Sequence, residues 1–188
     1  MATRPSVALV TARLGSTRLP DKNVRRVGML QLWERAALFA QRHGLTPVVD
    51  SDDERILEGA AGWGYQIHPR KTPPESQGGT HWQAINAAAA DLGLASFVLL
   101  QPTSPFRNPK ALEDALEAFD GHRPVFTCSR PGVWDGNIGV YPYPNPLAHV
   151  IFARWVRQPE AYSHQIDTPE DLDLARQMLR DDSELGHI

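Results

Sequence analysis

The feature that most constrains this chain is a set of short, uninterrupted apolar runs, each followed by a stretch with helical periodicity. Residues 7–10 read Val-Ala-Leu-Val and residues 97–100 read Phe-Val-Leu-Leu. Such runs do not alternate polar with apolar, so they suit strands buried on both faces. Less uniformly apolar stretches at 47–50, 65–68, 125–128 and 138–141 read as further strands. Between them, the spacing predicts helices over 30–42, 53–62, 80–92, 109–119 and 169–180. The helix over 80–92 places Trp82, Ile85, Ala89 and Leu92 on one stripe, and Pro109 opens the next helix at its first position. Strand and helix in alternation imply an α/β chain, a three-layer α/β/α sandwich with a mainly parallel sheet, in one domain over 1–188. Right-handed crossovers then put the loops after the strands along one edge, where ligands bind. The loops at 12–23, 50–53, 69–80, 101–107 and around Asp167 are therefore the ones to read for chemistry.

The first of these gathers Arg13, Arg18 and Lys22 around Gly15, Ser16 and Thr17. Glycine lets backbone amides turn toward an anion, hydroxyls donate to it, and three cations offset a polyphosphate. The loop lacks the Gly-Lys-Ser/Thr of a Walker loop and the second and third glycines of a dinucleotide fingerprint. The chain as a whole carries a net charge of -3, so no global positive field is available for nucleic acid, and an anion site has to be local. No apolar stretch near the N-terminus is long enough for a signal peptide or a membrane span. The lone Cys128, in what reads as a strand end, excludes an internal disulfide and suits a buried packing role in a reducing compartment. A cytoplasmic protein is the expectation.

Three strings carry a resemblance. Residues 11–23 read Thr-Ala-Arg-Leu-Gly-Ser-Thr-Arg-Leu-Pro-Asp-Lys-Asn, residues 99–107 read Leu-Leu-Gln-Pro-Thr-Ser-Pro-Phe-Arg, and residues 166–172 read Ile-Asp-Thr-Pro-Glu-Asp-Leu. In order and placement they resemble the cytidylyltransferases that make CMP-sialic acid and related CMP-sugars such as CMP-KDO. The resemblance implies a Rossmann-like nucleotide-diphospho-sugar transferase fold and transfer of CMP from CTP to an acidic 2-keto sugar, with Mg²⁺ and release of pyrophosphate. It gives Arg13 and Lys22 the triphosphate, with Leu14, Gly15, Ser16 and Arg18 in the same loop and Asn23 near the ribose or the phosphates. It puts Gln101 beside the sugar or the α-phosphate, with Thr103 and Ser104 shaping that turn and Asn137 in a strand that lines the acceptor. Arg70 and Thr80 are the nearest matches to the residues that read cytosine, although Thr80 equally suits a helix N-cap. Asp167 is the metal ligand by resemblance. The alternative for it is a helix-dipole partner, since Thr168-Pro169-Glu170-Asp171 is a good helix start.

Two departures stand out. Gln165 occupies the place of an aspartate that the family usually carries two residues before Asp167. The stretch between Pro105 and Asp167 is also short for the sialic acid enzymes, which keep their dimerisation arm and much of the sugar pocket there. A homodimer is thus allowed by the resemblance rather than required. Asp50-Ser51-Asp52 has the Asp-x-Asp spacing by which glycosyltransferases of similar architecture hold metal and sugar nucleotide. That reading stays open, as do a catalytically weakened nucleotide-binding protein and a nucleotidyltransferase for another base.

Overall fold

The computed structural model describes residues 4–71, 81–130, 135–143 and 153–186. Strand β1 (Val7–Ala12) sends Ala8, Val10 and Ala12 into one apolar cluster and Leu9 into another, the period-two division expected of a strand between two layers. A two-stranded ribbon, β2 (Arg26–Val27) and β3 (Leu30–Gln31), precedes α1 (Leu32–Arg42). Residues 30–31 thus belong to a strand rather than to the helix read from the sequence. There follow β4 (Thr46–Ser51), α2 (Glu54–Gly62), β5 (Gln66–Pro69), α3 (His81–Asp91), β6 (Ser96–Leu100), α4 (Pro109–Ala118), β7 (Val125–Cys128), β8 (Ile138–Pro142), β9 (Arg154–Arg157) and α5 (Pro169–Asp181).

Among the described residues, seven strands form one sheet in the order β5-β4-β1-β6-β8-β7-β9. The pairs β5–β4, β4–β1, β1–β6 and β7–β9 are parallel, whereas β8 runs antiparallel to both of its neighbours. On one face, Trp33 and Phe39 of α1, Ile56 of α2 and Leu112 of α4 pack on the sheet. On the other, Ile85, Ala88 and Ala89 of α3 meet Leu9, Phe97, Leu99, Phe126 and Tyr141. The three layers and the mainly parallel sheet agree with the sequence reading.

A third cluster sets up the site. Leu19 of the first loop, Phe106 of the loop after β6, and Ile166 and Leu172 at the start of α5 pack together with Val27 and Leu32. Burying a side chain such as Phe106, which is fully enclosed, stabilises by about 1.5–3 kcal/mol. These contacts join three loops, far apart in sequence, at the carboxyl edge of the sheet.

Candidate active site

After β1 the chain goes toward β4 and β5, and then crosses back to place β6 on the other side of β1. The reversal opens a crevice beyond the ends of β1 and β6, the position where open parallel sheets bind ligands. The loop leaving β1 turns at Gly15, whose φ of 78° lies in the left-handed region, and again at Asp21, with φ 56°. The second turn feeds a short 3-10 turn over Lys22–Val24 that aims Lys22 inward. Asn23, buried there, donates from Nδ2 to the carbonyl of Arg13 at 2.8 Å and so ties the two ends of the loop.

The crevice holds a cleft of about 260 Å³. The first loop contributes Arg13, Arg18, Lys22 and Asn23 to its lining. Arg70 reaches it from the end of β5, Gln101 and Thr103 from the loop after β6, and Asp167 from the segment before α5. Lys22 donates from Nζ to Asp167 Oδ1 at 2.8 Å, and a guanidinium nitrogen of Arg18 lies 3.1 Å from the same oxygen. Asp167 is itself held by α5. Its amide and that of Thr168 donate to the Asp171 carboxylate, while the Thr168 hydroxyl accepts from the Asp171 amide. Partial burial pushes the Asp171 carboxyl up, but these amides outweigh it and hold it below the usual carboxylate value.

The rest of the expected set divides. Leu14 is exposed and donates its amide to Asp52 Oδ1 at 2.6 Å, and Gly15 and Ser16 border a small crevice next to Arg13 and Asn23. Ser104 and Asn137, expected beside the acceptor, lie instead in the interior. The Ser104 hydroxyl donates to the Gly136 carbonyl at 3.2 Å, and Asn137 Nδ2 donates to the carbonyls of Phe106 and Tyr162 at 2.9 and 2.6 Å. The Ser104 hydroxyl and the Asn137 amide nitrogen are thus engaged in holding loops, while the buried Asn137 Oδ1 meets no hydrogen-bond donor among the described residues. Thr80 lies outside the described residues. Cys128 is buried, and that burial pushes its thiol up, away from the reactive thiolate.

Two lining residues escaped the sequence reading, Thr11 and His81, and Gln165, read there only as a departure from the family's aspartate, lines the cleft as well. The signal for His81 was its place at the start of a predicted helix on the ligand edge; its Nε2 sits 3.4 Å from the Gln101 amide nitrogen. Gln165 donates from Nε2 to the Asp135 carbonyl, passing over Gly136, where even a β-carbon would collide with the amide. Arg107 is buried beneath the same loop and donates to the Gln101 carbonyl, with its guanidinium 6.0 Å from the Phe39 ring centre.

The Asp50-Ser51-Asp52 stretch is committed elsewhere. Asp50 is buried against His68 and Arg70, Ser51 donates its hydroxyl to the Ala12 carbonyl at 2.6 Å, and Asp52 accepts from Leu14. These contacts brace the first loop from behind and do not present an Asp-x-Asp pair to the cleft.

Asp167 is the single carboxylate among the described lining residues, and no group of three or more His, Cys, Asp or Glu that could hold a metal is found among the described residues. One partly exposed carboxylate flanked by cations fits a Mg²⁺ that takes its other ligands from phosphate oxygens and water. It does not fit a cation caged by protein alone.

Comparison with known proteins agrees with this geometry. A CMP-N,N'-diacetyllegionaminic acid synthase of Legionella pneumophila is 29% identical over 119 residues, which is 59% of this chain and 51% of the relative. A 3-deoxy-manno-octulosonate cytidylyltransferase of Chlorobium limicola is 28% identical over 123 residues, 63% of this chain and 47% of the relative. The chain therefore spans about half the length of the curated relatives it matches. Among solved structures, a CMP:2-keto-3-deoxy-manno-octonic acid synthetase complexed with CTP superposes with a TM-score of 0.75 at 14% identity, covering 94% of this chain and 99% of that one. A cytidylyltransferase of Leptospira borgpetersenii gives 0.68 at 19% identity, covering 94% and 87%. At such identities the superpositions speak for the fold alone. The family model for cytidylyltransferases matches residues 7–130, which hold the first loop, the base of the crevice and the loop after β6, and the chain belongs to the cytidylyltransferase family.

Proposed function

We propose that the protein transfers CMP from CTP to an acidic 2-keto sugar and releases pyrophosphate. The observation that carries this reading is the convergence of four cationic side chains, Arg13, Arg18, Lys22 and Arg70, on a cleft where Asp167 is the one carboxylate among the described lining residues. A triphosphate supplies the negative charge that this arrangement lacks. The activities of the Legionella and Chlorobium relatives support the choice of cytidine and of an acidic sugar.

In the reaction an acceptor hydroxyl oxygen attacks the α-phosphorus in line. Its proton is lost to water, the bond from the α-phosphorus to the bridging oxygen breaks, and pyrophosphate leaves. Lys22 and Arg13 hold the phosphates and meet the charge that builds on the leaving group, since fixed electrostatics supply most of the acceleration in such transfers. On binding, Lys22 exchanges the Asp167 carboxylate for phosphate oxygens, one anion for another. Asp167 is the residue that would hold Mg²⁺, which when bound neutralises phosphate charge. Gln101, at the end of β6, orients the acceptor, and Arg70 faces the base. The cytoplasm is the compartment that fits a CTP-dependent enzyme with one buried cysteine. Among the described residues no helix is long and apolar enough to cross a membrane.

The test is pyrophosphate release by purified protein given each of the four ribonucleoside triphosphates, Mg²⁺ and a panel of 2-keto sugar acids. Release with CTP and one of these acids is expected. Release with another triphosphate in its place would remove the cytidylyl assignment, and no release with any pair would remove the transferase.

A further inference from the structure

Asp50, the penultimate residue of β4, is fully buried. A carboxylate in such a place is costly unless charged or hydrogen-bonding partners surround it. Both of its oxygens are taken. Oδ1 meets His68 Nδ1 at 2.9 Å. Oδ2 accepts from Arg70 Nε at 3.0 Å and also from a terminal guanidinium nitrogen of Arg70. His68 is gripped on its far side, with Nε2 3.4 Å from Asp91 Oδ2, an oxygen that also accepts from Lys71 Nζ at 3.1 Å. The backbone of Arg70 is fixed as well, by its amide to the Ser51 carbonyl at 2.8 Å.

The consequence falls on Arg70. A guanidinium is a rigid planar fork, so two bonds to one carboxylate oxygen set both its position and its plane. The Arg70 side chain is only 7% exposed, yet it lines the cleft. We infer that Asp50 is a positioning residue for nucleotide choice: it holds Arg70 in the orientation from which the guanidinium meets the pyrimidine edge, without touching the nucleotide itself. This rests on the reading above, in which Arg70 faces the base. Cytosine offers acceptors at its carbonyl and ring nitrogen. Uracil turns that ring nitrogen into a donor, which opposes the guanidinium donors. A site built on fixed donors rejects such a mismatch far better than one whose donors can swing aside. The same bonds explain why the aspartate of an Asp-x-Asp spacing is unavailable to metal.

The experiment measures CTP and UTP affinities by titration calorimetry for the unaltered protein, Asp50→Asn, Arg70→Ala and the double variant, with KM and kcat for CTP alongside. Asp50→Asn keeps the size of the side chain but replaces an acceptor oxygen with a donor group. It should weaken CTP roughly 10-fold or more, the scale of a charge-assisted bond, and narrow the gap between CTP and UTP. The loss should fall more on KM than on kcat, and the double variant should bind CTP no worse than Arg70→Ala, since one effect acts through the other. If Arg70→Ala loses CTP affinity while Asp50→Asn keeps both affinities, the inference is overturned and the base reading stands. If Arg70→Ala itself leaves CTP affinity unchanged, both fall. Should Asp50→Asn not fold, Asp50→Glu keeps the charge but displaces the carboxylate from which Arg70 takes its orientation. A narrowed CTP-to-UTP ratio in that variant supports the inference, and an unchanged ratio overturns it.

Discussion

Removing the Lys22 ammonium separates what the cleft does for chemistry from what it does for the fold. Lys22 is mostly enclosed, with 14% of its side chain exposed, while Asp167 is about one-third exposed and Arg18 about two-thirds. In Lys22→Ala the Asp167 carboxylate keeps Arg18 and water, so no buried charge is stranded. A partly solvated pair of this kind is worth at most about 1 kcal/mol. For a chain of this size that lowers the melting temperature by roughly 2–4 °C. Its effect on turnover is of another order, because a fixed cation facing the leaving phosphates is worth roughly 10²–10³ in kcat. The assay is pyrophosphate release at saturating CTP, run beside thermal denaturation of the same preparation. A loss of at least about 100-fold with a small shift in melting is expected. Unchanged turnover would take Lys22 off the phosphates. A collapse in melting temperature would show that the Lys22–Asp167 contact is chiefly a brace for the fold.

CTP at about 100 times its Kd should add about 2.7 kcal/mol to stability and raise the melting temperature more than ATP, GTP or UTP does. A larger shift with a purine triphosphate would contradict the base assignment. Gln165→Asp removes the donor that now meets the Asp135 carbonyl, costing about 1 kcal/mol, and places a second carboxylate next to Asp167. Activity at low Mg²⁺ should rise, and no change at any Mg²⁺ level would count against a metal held at Asp167. Asp53, Asp120 and Asp171 all sit below the usual carboxylate value. For Asp120, partial burial pushes upward but the amides of Arg123 and His122 and the Arg123 guanidinium win. Groups depressed in the folded state stabilise it above the ordinary carboxylate range, and that stability is lost as pH falls from about 4 downward. Urea midpoints between pH 3 and 6 should therefore drop on the acid side, less steeply in Asp120→Asn; equal slopes would refute that role for Asp120.

Much of the fold was legible because buried strands write themselves as apolar runs. The run at 97–100 appears as β6 and that at 125–128 as β7. Strand β9 was not legible, since Arg154-Trp155-Val156-Arg157 offers only two apolar residues between two arginines and becomes a strand by pairing with β7. The reversed direction of β8 was equally hidden, because a strand's polarity depends on its connections and not on its own side chains. In the cleft, clustered cations and a polar residue following an apolar run were enough to indicate Arg13, Lys22 and Gln101. Ser104 and Asn137 were misplaced because the same residue types serve as loop fasteners in the interior. Asp50 was ambiguous for a related reason: an acidic pair two residues apart suits either metal or arginine, and only the packing of β5 beside β4 brings Arg70 to it.

The place of β1 in the sheet has a kinetic side. It is the first strand in the chain, yet it sits between β4 and β6, and its Ala8 pairs with Val98 across nearly half the sequence. A strand made early must wait for a distant partner, and closing so long a loop slows folding. The wait is longer still for the cleft, because Asp167 joins Lys22 only after β7, β8 and β9 have been laid down beyond β6. A chain emerging from the ribosome can therefore assemble β1, β4 and β5 with their helices well before the Lys22–Asp167 contact can form. In refolding, recovery of pyrophosphate release should lag behind recovery of secondary structure.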